Sequence, residues 1–595
     1  MKTNKRFLIV FQIIIMLSAL SITVVYGQQY ASDPPHRVRI DFNRWHDVPE
    51  LYDDMARLRA AYPEFLKLES IGKSYRGLDI MLMTINNPET GPEMSKAAFY
   101  IEADIHGNEI QGGEIALYTI WYLMENYERI PKIKQIVDER VFYITPTVNP
   151  DGHQYFMEGD GGGARTGHVP VDDDNDGLYD EDPSNDLNGN GVIEQIRKYV
   201  PGGGTHRISR DDERILEQVP FGETGDWILL GSEGIDDDGD GRVNEDGPGG
   251  YDQNRNFGSD WQPRYVQSGA MDYPFQLPEA RAVNDFWMSH PNIAGLQTYH
   301  NSAGQILRAP GSDWYGTYPP DDRRVYDEIG QNAERILPFY EYGVTWADLY
   351  TIHGGVTDWA NDGLGIIAFL NELWNRRQYF NSPELIAEQQ DPDSPIGGGR
   401  ASYFFDDYLE FGDQFADWTP FDHPDYGSVE LGGRWKKTRG RVPPRFMLEE
   451  LCHRNMAFTL YQADEMPLMS MGEHSIENLG GVYNVLVDIT NSKLAPTILT
   501  RTSQHNVVRP DLLTLEGNDI EVISASWVPD RRTQQFLNDV TQEIGQHNLK
   551  RILIRNGHPG RTTRTIRYFV KGSGDFTVTY DSVKGGRAQK RMSLR

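Results

Sequence analysis

Phe99-Tyr-Ile-Glu-Ala-Asp-Ile-His-Gly-Asn-Glu109 is an apolar run that ends abruptly in His106 and Glu109. Residues 97–101 read as a buried strand. Beyond the run Ile110, Gly113, Ala116, Leu117, Ile120, Leu123, Met124 and Tyr127 recur at helical spacing. The His-x-x-Glu pair is therefore expected at a strand-to-helix turn. There an imidazole and a carboxylate can converge on one point and supply two of the three protein ligands of a catalytic zinc. Taken alone, the pair also fits a solvated helix N-terminus with Glu109 favoured by the macrodipole. The rest of the chain decides between the two.

Working outward, strands and helices alternate. Val48, Leu51, Met55, Leu58 and Ala61 space an amphipathic helix ended by Pro63. Residues 80–85 and 140–146 read as strands, 279–289 as a helix leading to a strand at 293–299, 323–337 as a helix, and 365–370 as a further strand. This alternation predicts an α/β fold with a mixed central sheet covered by helices. In such folds catalytic groups gather at one sheet edge. The strands that run into His300 and into Asn371-Glu372 thus point to the same place as His106 and Glu109. His300 becomes the candidate third zinc ligand, leaving one position open for water, and Glu372 the carboxylate that activates that water. A helix over 445–462 is expected to close the domain. The only cysteine, Cys452, falls on it as a core thiol, so no internal disulfide is available.

Between 159 and 250 the composition shifts to Gly, Asp and Asn, with little apolar periodicity, which marks an insertion. Asp172-Asp-Asp174-Asn-Asp176-Gly177 and Asp236-Asp-Asp238-Gly-Asp240-Gly241 both fit Asp-x-Asp-x-Asp-Gly, and Asp186-Leu-Asn188-Gly-Asn190-Gly191 is a related form. Oxygens at the first, third and fifth positions, with Gly permitting the bend, are how a loop wraps Ca²⁺. The bidentate Glu that closes an EF-hand is missing, since Pro183 and Gly247 stand in its place. Asp180, Glu181 and Asp182, or Asn244, Glu245 and Asp246, would have to supply the later ligands. The alternative is a merely solvated acidic loop.

Taken in order, these residues resemble the pancreatic-type zinc carboxypeptidase family over roughly residues 44–460, interrupted by the acidic insertion. The resemblance implies one catalytic Zn²⁺ held by His106, Glu109 and His300, with Asp252 orienting the His106 imidazole. It also implies that Asn254 and Arg255 grip the terminal carboxylate of the substrate, that Arg165 steadies the tetrahedral oxyanion, that Tyr350 caps the bound C-terminus and that Glu372 is the general base. In that family the residue just before the Asp-Trp pair lies at the floor of the pocket for the C-terminal side chain, a position the resemblance gives to Thr357, before Asp358-Trp359. An acid there would favour basic residues, and Thr357 predicts no strong Lys or Arg preference. The implied activity is hydrolysis of the C-terminal bond of peptides or proteins. The same residues could serve an amidase acting on cell-wall or other non-standard peptides. A calcium-stabilised, non-catalytic peptide-binding module is a third reading, opposed by the completeness of the set. Two departures stand out. Acidic loops replace the aromatic-basic segment that usually follows the oxyanion arginine, and the chain before the first helix is too short for a bulky inhibitory pro-region.

Lys2, Lys5 and Arg6 precede an apolar run from Phe7 through Val25. This is the pattern of a signal peptide, 1–27, cut near Gly27, with a retained anchor as the competing reading. The catalytic domain would then span 28–468. The expected location is secreted, extracellular or periplasmic, with no membrane span once the signal is removed. Beyond 469 the texture becomes all-β: residues 481–488, 519–524, 565–570 and 576–580 alternate apolar and polar. They predict a small antiparallel sandwich over 469–595, of no assigned role. A net charge of −31 disfavours nucleic acid as a partner, because a phosphate-binding surface needs a basic face.

Overall fold

The computed structural model describes residues 35–159, 165–172, 176–210, 212–375, 399–528 and 542–595. The expected signal peptide and Asp174 lie outside them. Residues up to Ile40 form one unit and Asp41–Arg595 another; the second carries everything described below.

A capping box starts α1 (Val48–Ala61): the Asp47 side chain accepts from the Glu50 backbone while the Glu50 side chain reaches back to Asp47. The central sheet then builds from β1 (Leu66–Lys73), β2 (Asp79–Ile85), β3 (Ala98–Ala103), β4 (Val141–Thr145), β5 (Ile293–Asn301), β6 (Gln305–Arg308), β7 (Glu341–Val344) and β8 (Ile367–Leu373). Their order is β1-β2-β4-β3-β5-β8-β6-β7. The sheet is mixed. β3 runs parallel to β4 and β5, and β5 parallel to β8, whereas β1–β2, β2–β4 and β6–β8 are antiparallel. Every residue of β3 and β5 is buried, as strands covered on both faces must be. The cover includes α2 (Gln111–Asn126), α3 (Pro131–Glu139), α4 (Pro150–Glu158), α5 (Pro278–Ser289), α6 (Pro320–Ile336) and α7 (Leu448–Asp464). Because β3, β5 and β8 are adjacent and parallel, the residues that follow or end them share one edge. Cys452 is buried on α7.

The insertion is more than loops. Its strands Gln195–Gly204, His206–Ile208, Leu216–Gln218 and Gly225–Ser232 join Thr419–His423 and Gly427–Gly432 in a six-stranded sheet. Ile196, Val429 and Leu431 are buried at its centre. The weak apolar periodicity within 159–250 concealed this sheet because the strand that completes its core comes from the stretch after Glu372.

From Met469 onward two antiparallel sheets, of five and four strands, enclose a common core that includes Val485, Val487, Leu513, Tyr568 and Val578. A buried arginine holds the end of α7 that leads into this part, and a buried lysine fastens the part itself to the rest. Buried Arg140 donates to the carbonyls of Ala463, Asp464, Met466 and Pro467, satisfying carbonyls that the end of α7 leaves without helical partners. Lys584 donates to the carbonyls of Pro291 and Ile293. Among the described residues no helix is long and apolar enough to cross a membrane.

Candidate active site

The turn after β3 is held from two sides. Asp104, at φ 52°, redirects the chain, and its carboxylate accepts from Gly113 N at 3.3 Å and pairs with His153 Nδ1 at 2.7 Å. Gly107 lies so close to α4 that a Cβ there would sit 2.2 Å from the Gly152 carbonyl carbon. Its N–H donates to the Arg165 carbonyl at 2.9 Å. A glycine is required at this point, and the chain carrying Arg165 is fixed to the same turn.

His106, Glu109 and His300 meet, each with 2% exposure or less. Glu109 Oε2 lies 3.1 Å from His106 Nδ1 and 3.0 Å from His300 Nδ1, and the two Nδ1 atoms are 3.1 Å apart. On the far side of the His106 ring, Nε2 is 3.0 Å from Asp252 Oδ1. That carboxylate can accept an Nε2–H, the tautomer that leaves the Nδ1 lone pair facing inward, and Arg165 Nη2 also lies 2.9 Å from Nε2. Three acceptor atoms then converge on one point, which only a proton or a cation can satisfy. Two imidazole nitrogens and one carboxylate, all buried, are the donor set of a catalytic zinc, and these residues fit that ion.

Charge follows the same geometry. Burial pushes Glu109 upward, but the His106 and His300 imidazoles outweigh it and hold the carboxyl well below its usual range. Asp252 is likewise raised by burial and lowered further by Arg255, His106 and Arg165, ending well below. Glu372 behaves in the opposite way: burial first and then the negative charge of Glu109 push it up to about 7. It stands directly beside His300 in the parallel register of β5 and β8.

Arg165 is folded onto this group. Nη1 lies 3.3 Å from Glu109 Oε1 and Nη2 3.2 Å from Asp252 Oδ2. Asp252 N-caps a short turn, Gln253–Arg255, and its Oδ1 accepts from Asn254 N at 2.8 Å. The Asn254 side-chain oxygen accepts from Val356 N at 2.8 Å, which turns the amide nitrogen the other way as a donor. Arg255 Nη1 donates to the Asn254 carbonyl at 2.9 Å and lies 3.8 Å from Asp252 Oδ2. The segment from Tyr350 to Trp359 packs on these residues. Gly354, at φ +67°, approaches so closely that a Cβ would lie 2.5 Å from the Arg255 carbonyl oxygen. Thr357 is buried, whereas Tyr350 is 48% exposed. One cation escaped the sequence reading. Arg441 donates to the Asn301 carbonyl at 2.8 Å and brings Nη1 to 3.7 Å from Glu109 Oε1. It lies in the long stretch after Glu372, where no motif points to it.

In the insertion the acidic loops fold as tight side-chain-to-backbone turns. Asp172 accepts from Asp176 N and Gly177 N, Asp186 from Gly189 N, Asn190 N and Gly191 N, and Asp236 from Gly239 N and Gly241 N. Asp176, Asp238 and Asp240 each accept two residues ahead. Asp180 accepts from Gly249 N. Asn188 and Asn190 accept in the same way from Asn190 N and Val192 N, and in addition turn their amide nitrogens to Glu194, at 2.7 and 2.8 Å.

The profile of the zinc carboxypeptidase family matches residues 51–190 and 230–392, just over half of the chain. This chain belongs to the zinc carboxypeptidase family. That family is zinc-dependent and acts on peptides, and the group of His106, Glu109 and His300 fits its metal. Among relatives of this chain, carboxypeptidase D from Anas platyrhynchos is 32% identical over 124 residues, 21% of this chain and 9% of that protein. Carboxypeptidase O from Bos taurus is 23% identical over 360 residues, 58% of this chain and 74% of that one. The chain thus spans less than a tenth of the first relative. The crystal structure of thrombin activatable fibrinolysis inhibitor aligns with a TM-score of 0.42 and 15% identity, over 72% of this chain and 76% of that chain. Residues 469–593 match the profile of a domain of unknown function.

Proposed function

We propose that this protein is an exported metallocarboxypeptidase that removes the C-terminal residue of peptides or proteins. One observation carries the reading: in a chain of this family, the two Nδ1 atoms and the Glu109 carboxylate converge at the edge where Glu372 ends the neighbouring strand. Zinc bound there would polarise the scissile carbonyl and lower the pKa of its water. The Glu372 carboxylate is placed to take a proton from the attacking water and to pass it to the leaving amine. The Arg165 guanidinium donates to the oxyanion, exchanging its contact with Glu109 for the substrate oxygen. Asn254, through its amide nitrogen, and Arg255, through its fork, hold the substrate's free carboxylate, and Tyr350 closes over it. Thr357 brings no charge to the side-chain pocket, which supports a substrate range without a Lys or Arg bias.

The apolar N-terminal run supports export to the periplasm or the exterior, tested by sequencing the N-terminus of the mature protein. The acidic loops support structural Ca²⁺ in the insertion. The principal test is metal analysis joined to a panel of peptides with free and amidated C-termini. One zinc per chain and cleavage of the free termini alone are expected. Equal cleavage of both would overturn the exopeptidase reading.

A further inference from the structure

The two Asp-x-Asp-x-Asp-Gly loops do not stand apart. Asp182, which follows the first, forms an isolated antiparallel bridge with Asp246, which follows the second. Asn244 N donates to Asp182 Oδ1 at 3.2 Å. Asp182, Asp236 and Asp238 each offer an oxygen within 4.8 Å of the others. Asp182 is fully buried, and its Oδ2 has no hydrogen-bond partner. A buried carboxylate oxygen without a donor is costly, and more so beside two further carboxylates. Asp236 and Asp238, the acids grouped with Asp182, belong to the other loop.

We propose that Asp182, Asp236 and Asp238 hold one Ca²⁺ that bridges the two loops and closes the neck of the insertion. Three carboxylates and no nitrogen or sulfur make a hard-cation site, suited to calcium and unsuited to zinc. The ion joins the stretch before the strands of the insertion, at Asp182, to the stretch after them, at Asp236 and Asp238. Close by, Gly249 approaches Gly167 so tightly that a Cβ would lie 2.0 Å from the Gly167 carbonyl oxygen, and Gly249 N donates to Asp180 Oδ1 at 3.3 Å. Arg165 sits two residues before one side of that contact and Asp252 three residues after the other. The clasp therefore sets how firmly both are presented to the cleft.

This inference rests on the calcium reading of the insertion for its metal but names a ligand set that crosses between the loops. The test uses the full chain, stripped of calcium by a selective chelator with zinc kept saturating, and titrates Ca²⁺ alone by calorimetry and by thermal melting. Asp182→Asn keeps an oxygen for Asn244 N and removes one charge. It is expected to weaken one class of Ca²⁺ site at least about tenfold, since affinity in such sites follows the number of charged ligands, and to lose the matching rise in melting temperature. Without Ca²⁺ the variant should melt no lower than the chelated wild type. Unchanged affinity and stoichiometry in Asp182→Asn would overturn the bridging site while leaving calcium in the loops standing. An equal drop in melting temperature with and without Ca²⁺ would also overturn it, as the mark of a purely structural side chain. A wild type that binds no Ca²⁺ would remove both readings together. Should Asp182→Asn fail to fold, Asp236→Asn must show the same loss of one site.

Discussion

Replacing Arg255 by Met separates two jobs that the structure gives one side chain. The guanidinium is 6% exposed as a residue, donates to the Asn254 carbonyl at 2.9 Å and stands 3.8 Å from Asp252 Oδ2. Met keeps most of the apolar stem and removes the charge. If Arg255 holds the terminal carboxylate of the substrate, the loss is one charge-assisted contact, about 1.5–3 kcal/mol. At about 1.4 kcal/mol per tenfold, kcat/KM on a peptide with a free C-terminus should fall roughly 10- to 150-fold, mainly through KM. Asp252 would keep two of the three groups that hold it ionised, His106 and Arg165. It should therefore still orient His106, and zinc content should stay at the wild-type level. The decisive assay is a cycle in which wild type and Arg255→Met each meet the free and the amidated form of one peptide. Amidation should cost the wild type heavily and the variant little. Equal losses in the variant on both peptides, with zinc lost as well, would show that Arg255 acts through Asp252 and not on the substrate.

Glu372→Gln should lower kcat by about 10²- to 10⁴-fold with zinc and melting temperature retained, whereas His106→Ala should lose the metal; near-normal turnover in the Gln variant would refute the role of Glu372. Chelating calcium with zinc kept saturating should lower the melting temperature and open the insertion to protease near Pro183 or Gly203, both restored by Ca²⁺; unchanged melting and proteolysis would mean that the loops are only solvated. Burial lowers Lys584 from 10.5 to about 7, so between those values the unfolded chain holds a proton the folded chain has lost, and stability should rise with pH across that window. Lys584→Met should flatten the rise in urea unfolding measured at several pH values, and an identical slope in the variant would show that Lys584 stays charged in the fold.

Legibility followed locality. The turn at His106 could be read because strand, glycine and helix are consecutive in sequence, and the apolar spacing changes period across it. His300 and Glu372 could be read as strand ends, and parallel pairing of β3, β5 and β8 converts that into a shared edge. What sequence could not supply was any contact between remote segments. The sheet of the insertion needs Gly427–Gly432 to cover Ile196. Asp182 gains its meaning only beside Asp236 and Asp238, and Arg441 only beside Asn301 and Glu109. None of these pairings can be read locally, because in each the partners lie far apart in the sequence.

The cleft also has a charge balance that ties these residues into one device. Glu109, Asp252 and Glu372 face Arg165, Arg255 and Arg441, three carboxylates against three guanidinium groups, most of them buried enough for their fields to act at short range. With Glu372 ionised the set is neutral, and with Glu372 protonated it carries one positive charge. A divalent cation at the two histidines raises that total by two. An incoming peptide C-terminus supplies one compensating negative charge at Asn254 and Arg255, and the developing oxyanion supplies another near Arg165. The cleft is therefore least satisfied electrostatically when it holds metal alone. It is best satisfied when it holds metal, a free carboxylate and the charge that forms during hydrolysis, which is the arrangement that favours a transition state over an empty site.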